Sequence, residues 1–124
     1  MSRKTSSNPA ERARITRDAV VDAAFSLVER TGVDGLSMRA LADALGVQAP
    51  TIYWHAGGKP ELLRLMAARI YGEASQSVPY TDDWRQWLIM LGRAFRASLS
   101  KRKDSARYAS LQNIRRMKRR PKRT

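Results

Sequence analysis

The feature that most constrains the fold is the stretch LSMRALADALGVQAPTIYWH, residues 36–55, which reads as two short helices separated by a tight turn. Ser37 is a good N-cap, and Leu36 with Leu41 supplies a hydrophobic staple for a helix running to Leu45. Gly46 stops that helix by offering the left-handed backbone angles that a helix C-terminus often needs, and Val47 packs behind it. Pro50 fits the first turn of a second helix, where a missing N–H costs nothing, and residues 51–55 carry it onward with Ile52 turned inward. Ala42, Gly46 and Ile52 thus provide the small, turn and apolar positions of a helix-turn-helix, whose second helix enters a DNA major groove.

The rest of the chain bounds what can surround this motif. Its 124 residues leave room for one domain with a modest core, or a small domain plus an appendage. Cysteine is absent, which removes disulfides and thiolate chemistry, and a single histidine cannot alone build a metal site. The expectation is therefore no metal, no cofactor and no enzyme chemistry. No apolar run approaches membrane-spanning length, and residues 1–16 lack the apolar centre of a signal peptide, so the cytoplasm is the expected compartment. The net charge of +13 invites a nucleic-acid partner, but residues 101–124 hold eleven Lys or Arg against one Asp, leaving only +3 for residues 1–100. The argument for the folded part rests on the motif.

Taken in order, residues 1–15 are polar and basic with no sustained apolar periodicity, and read as a mobile arm that either touches DNA or is simply solvated. A first helix is predicted over residues 17–30, capped by Thr16, with Val20, Ala24, Leu27 and Val28 on its core stripe and Val21 and Phe25 extending it. Gly32 ends it. After the motif, Ala56-Gly57-Gly58 leads to a longer helix through about Glu73, with Pro60 in its first turn and Leu62, Leu65, Met66 and Ile70 inward. Lys59 sits beside the free N–H groups of that helix start, where a phosphate is attracted by both the ammonium and the helix terminus. A further helix, capped by Asp82 or Asp83, carries the stripe Trp84, Leu88, Leu91, Phe95 and Leu99, widened by Trp87. Beyond Lys101 the pattern loosens, although Tyr108, Leu111, Ile114 and Met117 keep a spacing a helix could use, and the chain closes on the basic run RRMKRRPKRT.

Leu41-Ala42, Leu45-Gly46-Val47, Pro50, Tyr53-Trp54-His55, and Lys59 followed by Glu61-Leu62-Leu63 stand in the order and spacing of a known family. The segment resembles the DNA-binding domain of the TetR family of bacterial transcriptional regulators, near its tetracycline-repressor-like subgroup. The resemblance implies a division into a basic flexible arm (1–11), a helix-turn-helix domain (12–75, motif 36–55), a partial effector-domain-like helix (80–107) and a basic tail (108–124). It also implies roles for individual residues. Arg39 matches a position that reads a base or phosphate, with a solvated helix-start arginine as the alternative. Gln48, Ala49, Pro50 and Thr51 stand at the start of the recognition helix, where glutamine can bond an adenine edge and small apolar groups can meet thymine methyls. Tyr53 and Trp54 match phosphate-contacting or packing aromatics, one of them expected partly in the core. His55 matches a phosphate contact, or else caps its helix. Lys59 completes the DNA-contacting set.

Two departures from the pattern carry expectations of their own. Ala56 and Gly58 replace larger or polar residues, which implies a looser joint between recognition helix and long helix. The chain is also shorter than the family's effector and dimerisation domain requires, so it reads as a truncated or frame-shifted member with its inducer pocket absent or incomplete and no family-type homodimer. The resemblance implies an all-α, TetR-type helix-turn-helix protein that binds double-stranded DNA as a transcriptional regulator, with repression as the implied activity. The alternatives are a non-specific basic nucleic-acid binder and a nonfunctional fragment.

Overall fold

The structure, a computed structural model, describes residues 9–109. It is all-α as expected: α1 (Pro9–Arg14), α2 (Arg17–Thr31), a 3-10 turn (Val33–Gly35), α3 (Met38–Leu45), α4 (Ala49–Ala56), α5 (Lys59–Ser77) and α6 (Trp84–Ser100), with no strand among the described residues. Residues 105–109 are again helical.

The helix ends follow from local chemistry. Thr16 accepts a hydrogen bond from the Ala19 amide at 3.0 Å, and Ser37 does the same for Ala40 at 3.0 Å, so each satisfies an amide that the first helical turn leaves free. Gly46 adopts φ 69°, ψ 36°, which turns the Val47 amide back onto the Ala42 carbonyl at 3.0 Å and ends α3. Gly57 plays the same part at the end of α4, with φ 84° and its amide 2.8 Å from the Tyr53 carbonyl. The joint expected to be loose is thus hydrogen-bonded on both sides, since the Leu62 amide also reaches the Gly58 carbonyl at 2.8 Å.

Val20, Ala24, Leu27 and Val28 of α2, Leu41 and Ala42 of α3, Ile52 and Ala56 of α4, and Leu62, Met66 and Ile70 of α5 form one buried cluster. Burying each Val, Leu, Ile or Met contributes about 1.5–3 kcal/mol, so this cluster fixes the angle at which α3 and α4 stand on α2 and α5. Charged pairs then brace its rim: Arg69 of α5 reaches both Asp18 and Asp22 of α2.

Three expectations need correction. Residues 9–14, read as part of a mobile arm, form α1, started by Pro9 in the first turn and held by contacts to α4 described below; residues 1–8 lie outside the described residues. The α6 stripe is covered only in part. Trp84 is 65% and Leu88 50% exposed, while Trp87, Leu91, Phe95 and Leu99 are partly covered and Ser98 is buried. The inward face is set by the packing of α6 on α5, where Phe95 meets Tyr71 edge-on at 6.1 Å, and the upper turn carrying Trp84 lies outside that contact.

Tyr108, assigned to the basic tail, is only 1% exposed and belongs to the core cluster. A turn at residues 101–104, with Asp104 at φ 58°, reverses the chain after α6. Asp104 then accepts from the Val33 amide at 3.0 Å, the Lys103 amide donates to Glu29 at 2.7 Å, Arg102 pairs with Glu73 and Arg107 with Asp34. These ties bring the Tyr108 ring to 6.5 Å from that of Phe25, and Arg102 lies over the same Phe25 ring at 4.5 Å. Leu111, Ile114, Met117 and the final basic run lie outside the described residues.

Candidate nucleic-acid interface

α3 and α4 are joined by the Gly46 turn and stand as a helix-turn-helix on the core. Arg39, at the start of α3, is exposed. So is Gln48, which precedes α4 and leaves its side chain unused in capping. Ala49 and Pro50, in the first turn of α4, are half-buried. Tyr53 and Trp54 are 51% and 60% exposed, which corrects the expectation that one of them joins the core; Ile52 and Ala56, before and after them, take the inward positions instead. Lys59 opens α5 and is half-buried, with its charge close enough to help hold Asp34 ionised.

Two predicted contacts are engaged inside the protein. Thr51 is fully buried, and its hydroxyl donates to the Glu11 carboxylate, which also accepts from the Gln48 amide at 2.9 Å. These hydrogen bonds, the Thr51 one first, hold the Glu11 carboxyl below the usual glutamate range. With α1 seated, the Thr51 hydroxyl is engaged by Glu11 and is not presented outward. His55 is not a helix cap either: its Nε2 lies 2.9 Å from the Arg12 carbonyl, and since a carbonyl only accepts, Nε2 carries the proton. The His55 carbonyl in turn accepts from Arg17 at 3.1 Å, which ties the end of α4 to the start of α2.

The structure thus brings Arg39, Gln48, Ala49, Pro50, Tyr53, Trp54 and Lys59 to the surface of the α3–α4 unit and its junction with α5, and it withdraws Thr51. Glu11 and Arg12 are residues that sequence reasoning missed. Arg12 lays its guanidinium over the Trp54 ring at 5.1 Å, next to its carbonyl's bond with His55. Pro9 followed by an acidic residue in the first turn was the one local signal for α1, and nothing in the sequence indicated which surface it would meet. Among the described residues no group of His, Cys, Asp and Glu could hold a metal ion, and no helix is long and apolar enough to cross a membrane.

An exposed second helix on a short, glycine-turned helix pair defines a helix-turn-helix protein. Residues 20–66 match the family described as bacterial regulatory proteins, tetR family, and through this segment the chain belongs to that family. It is similar to the tetracycline repressor protein class A from transposon 1721 of Escherichia coli, with 43% identity over 96 residues, covering 76% of this chain and 44% of the relative. An HTH-type transcriptional regulator of Saccharopolyspora erythraea is 40% identical over 85 residues, covering 68% of this chain and 34% of that protein. In three dimensions the chain is similar to the crystal structure of TetR from Acinetobacter baumannii AYE, with a TM-score of 0.68 at 34% identity, covering 77% of this chain and 53% of that one. The chain therefore spans less than half the length of these curated relatives.

Proposed function

We propose that this chain binds duplex DNA with sequence preference and acts as a transcriptional regulator, in the repressing sense that the names of its tetracycline repressor relatives carry. The observation that carries the reading is α4: an eight-residue helix anchored by Ile52 and Ala56, with Gln48, Tyr53 and Trp54 exposed around it. In such an arrangement Lys59, Arg39 and the aromatic edges hold phosphates while the Gln48 amide reads a base edge. No catalytic step is assigned to any residue, and the proposed place of action is the cytoplasm.

Exchange of Gln48 for Ala tests it. Competition against a randomised duplex library should show a loss of about 1–3 kcal/mol at one base position with non-specific affinity nearly intact. An unchanged preferred sequence in the variant removes Gln48, and with it the reading of α4 as the sequence reader.

For this 124-residue chain we further propose binding as a single module, with a palindrome held little better than its half-site. Trp84 and Leu88, exposed on the part of α6 that α5 leaves uncovered, would on this reading give irregular association and no fixed twofold pair. Sedimentation at micromolar concentration beside titration of whole and half sites decides the matter, and a discrete dimer with strong palindrome preference contradicts it.

A further inference from the structure

We infer that α1 is an intramolecular strap seated on the flank of α4, in which the Glu11 carboxylate takes the place of a DNA phosphate oxygen and must be displaced before the helix engages duplex fully. This inference rests on the reading of α4 as the helix that meets DNA, and adds a regulation of that site.

The contacts of α1 fall on the residues assigned to DNA. Glu11 takes the hydroxyl proton of Thr51 and the amide of Gln48, Arg12 offers its carbonyl to His55, and its guanidinium covers Trp54. Four positions of the expected interface are thus served by two neighbouring residues of one short helix. A carboxylate receiving a hydroxyl and a backbone amide at the start of a helix makes the same kind of charge-assisted bonds that a phosphate oxygen would make there. Both cannot occupy those donors at once, and a carboxylate left between them repels the phosphate.

The strap is also built to come away. None of the six residues of α1 is buried, so its release withdraws no side chain of its own from the core. Ile15, which is 9% exposed, marks where the chain first enters the hydrophobic cluster, and Thr16 caps α2 independently of anything before it. The hinge lies between Arg14 and Arg17.

The test compares the whole chain with Glu11→Ala for binding to a mixed-sequence duplex and to a site selected from a random library, at one fixed salt concentration. Loss of the strap's charged hydrogen bonds should tighten both by about tenfold. Asp43→Asn, at an exposed position of α3 outside the bonds that Glu11 and Arg12 make, removes one negative charge and should change affinity far less. Equal gains in the two variants reduce the effect to net charge and overturn the strap. Wild-type binding with no gain, or a loss, in Glu11→Ala overturns the strap while leaving the DNA reading in place, whereas no duplex binding by either chain overturns the DNA reading itself. A second readout follows by NMR the nuclear Overhauser contacts between Glu11 or Arg12 and Thr51 or Trp54, which should be present in the free wild type and lost when it is saturated with duplex; their persistence in the saturated complex refutes displacement.

Discussion

Tyr108 offers the sharpest test of how the end of the chain is attached. Its ring is 1% exposed and meets Phe25 at 6.5 Å, while its hydroxyl is buried with no hydrogen-bond partner among the described residues. Burial pushes the phenol up to about 12, against a partial opposing pull from Arg102. The two halves of the side chain therefore act in opposite directions. Truncation to Ala removes the ring from a filled site and should cost about 3–5 kcal/mol, as for other large aromatic deletions. Tyr108→Phe keeps the ring and removes the unpaired hydroxyl, so it should be neutral or stabilising by up to about 1 kcal/mol. For a domain whose whole stability is of order 5–15 kcal/mol, the Ala variant sits near the edge of folding and the Phe variant does not. Urea unfolding followed by circular dichroism measures both. A Phe variant destabilised by about 1 kcal/mol or more would mean the hydroxyl is bonded, and an Ala variant as stable as wild type would mean that residues 101–109 are not part of the core. Alkaline titration gives the same answer from the other side: since the folded phenol titrates above its ordinary value of 10.0, its contribution is complete below that pH and is lost as pH rises toward 12.

Other consequences follow from the same contacts. Lys59→Ala should weaken binding to all duplexes and lower the log–log salt slope by about 0.9, the share of one phosphate, as read from titrations at several salt concentrations. Gly46→Ala places a methyl in open space, so thermal unfolding should report only the left-handed backbone cost of about 1–2 kcal/mol. Gly32→Ala should cost more, because its φ is 78° and the added carbon would stand 3.1 Å from the Asp104 carboxylate that holds Val33. Glu73, Glu61, Asp34 and Glu11 are all held below their ordinary ranges by hydrogen-bonded partners, Arg102, Arg64 and Arg107 for the first three and Thr51 for the last. Stability should then be level above the ordinary glutamate value of 4.5 and fall as pH drops through the depressed folded values, with Glu73→Gln shrinking the fall in an acid titration of the unfolding midpoint.

What the sequence made legible was whatever local chemistry decides. Thr16, Ser37 and Gly46 act through neighbours three to five residues away, and the stripes of α2 and α5 repeat at helical spacing, so caps and core could be read directly. The long helix nevertheless runs to Ser77 rather than Glu73, since Ala74 finds a buried place that no local signal announces. What stayed hidden depends on distant partners. α1 has no apolar period and is held by bonds spanning 37 to 43 residues, between Glu11 and Gln48, Glu11 and Thr51, and Arg12 and His55. Tyr108 was lost among basic residues because the turn that returns it rests on Asp104 reaching Val33, 71 residues earlier. The resemblance to TetR-type motifs pointed to α4, but it could not reveal that Thr51 is engaged by a helix in front of the motif. The α6 stripe holds for Trp87, Leu91, Phe95 and Leu99, whereas Trp84 and Leu88 stay out of the packing and Ser98 is buried.

The central claim, that α4 reads base edges in a major groove, is tested most directly by methylation interference on a duplex selected from a random library. Methyl groups at guanine N7 stand in the major groove and those at adenine N3 in the minor groove, so one partly methylated probe interrogates both. The account predicts that binding is blocked by N7 methylation at a few adjacent guanines within one half-site, and that minor-groove methylation there has little effect. Interference confined to minor-groove positions, or none at any base, would contradict it.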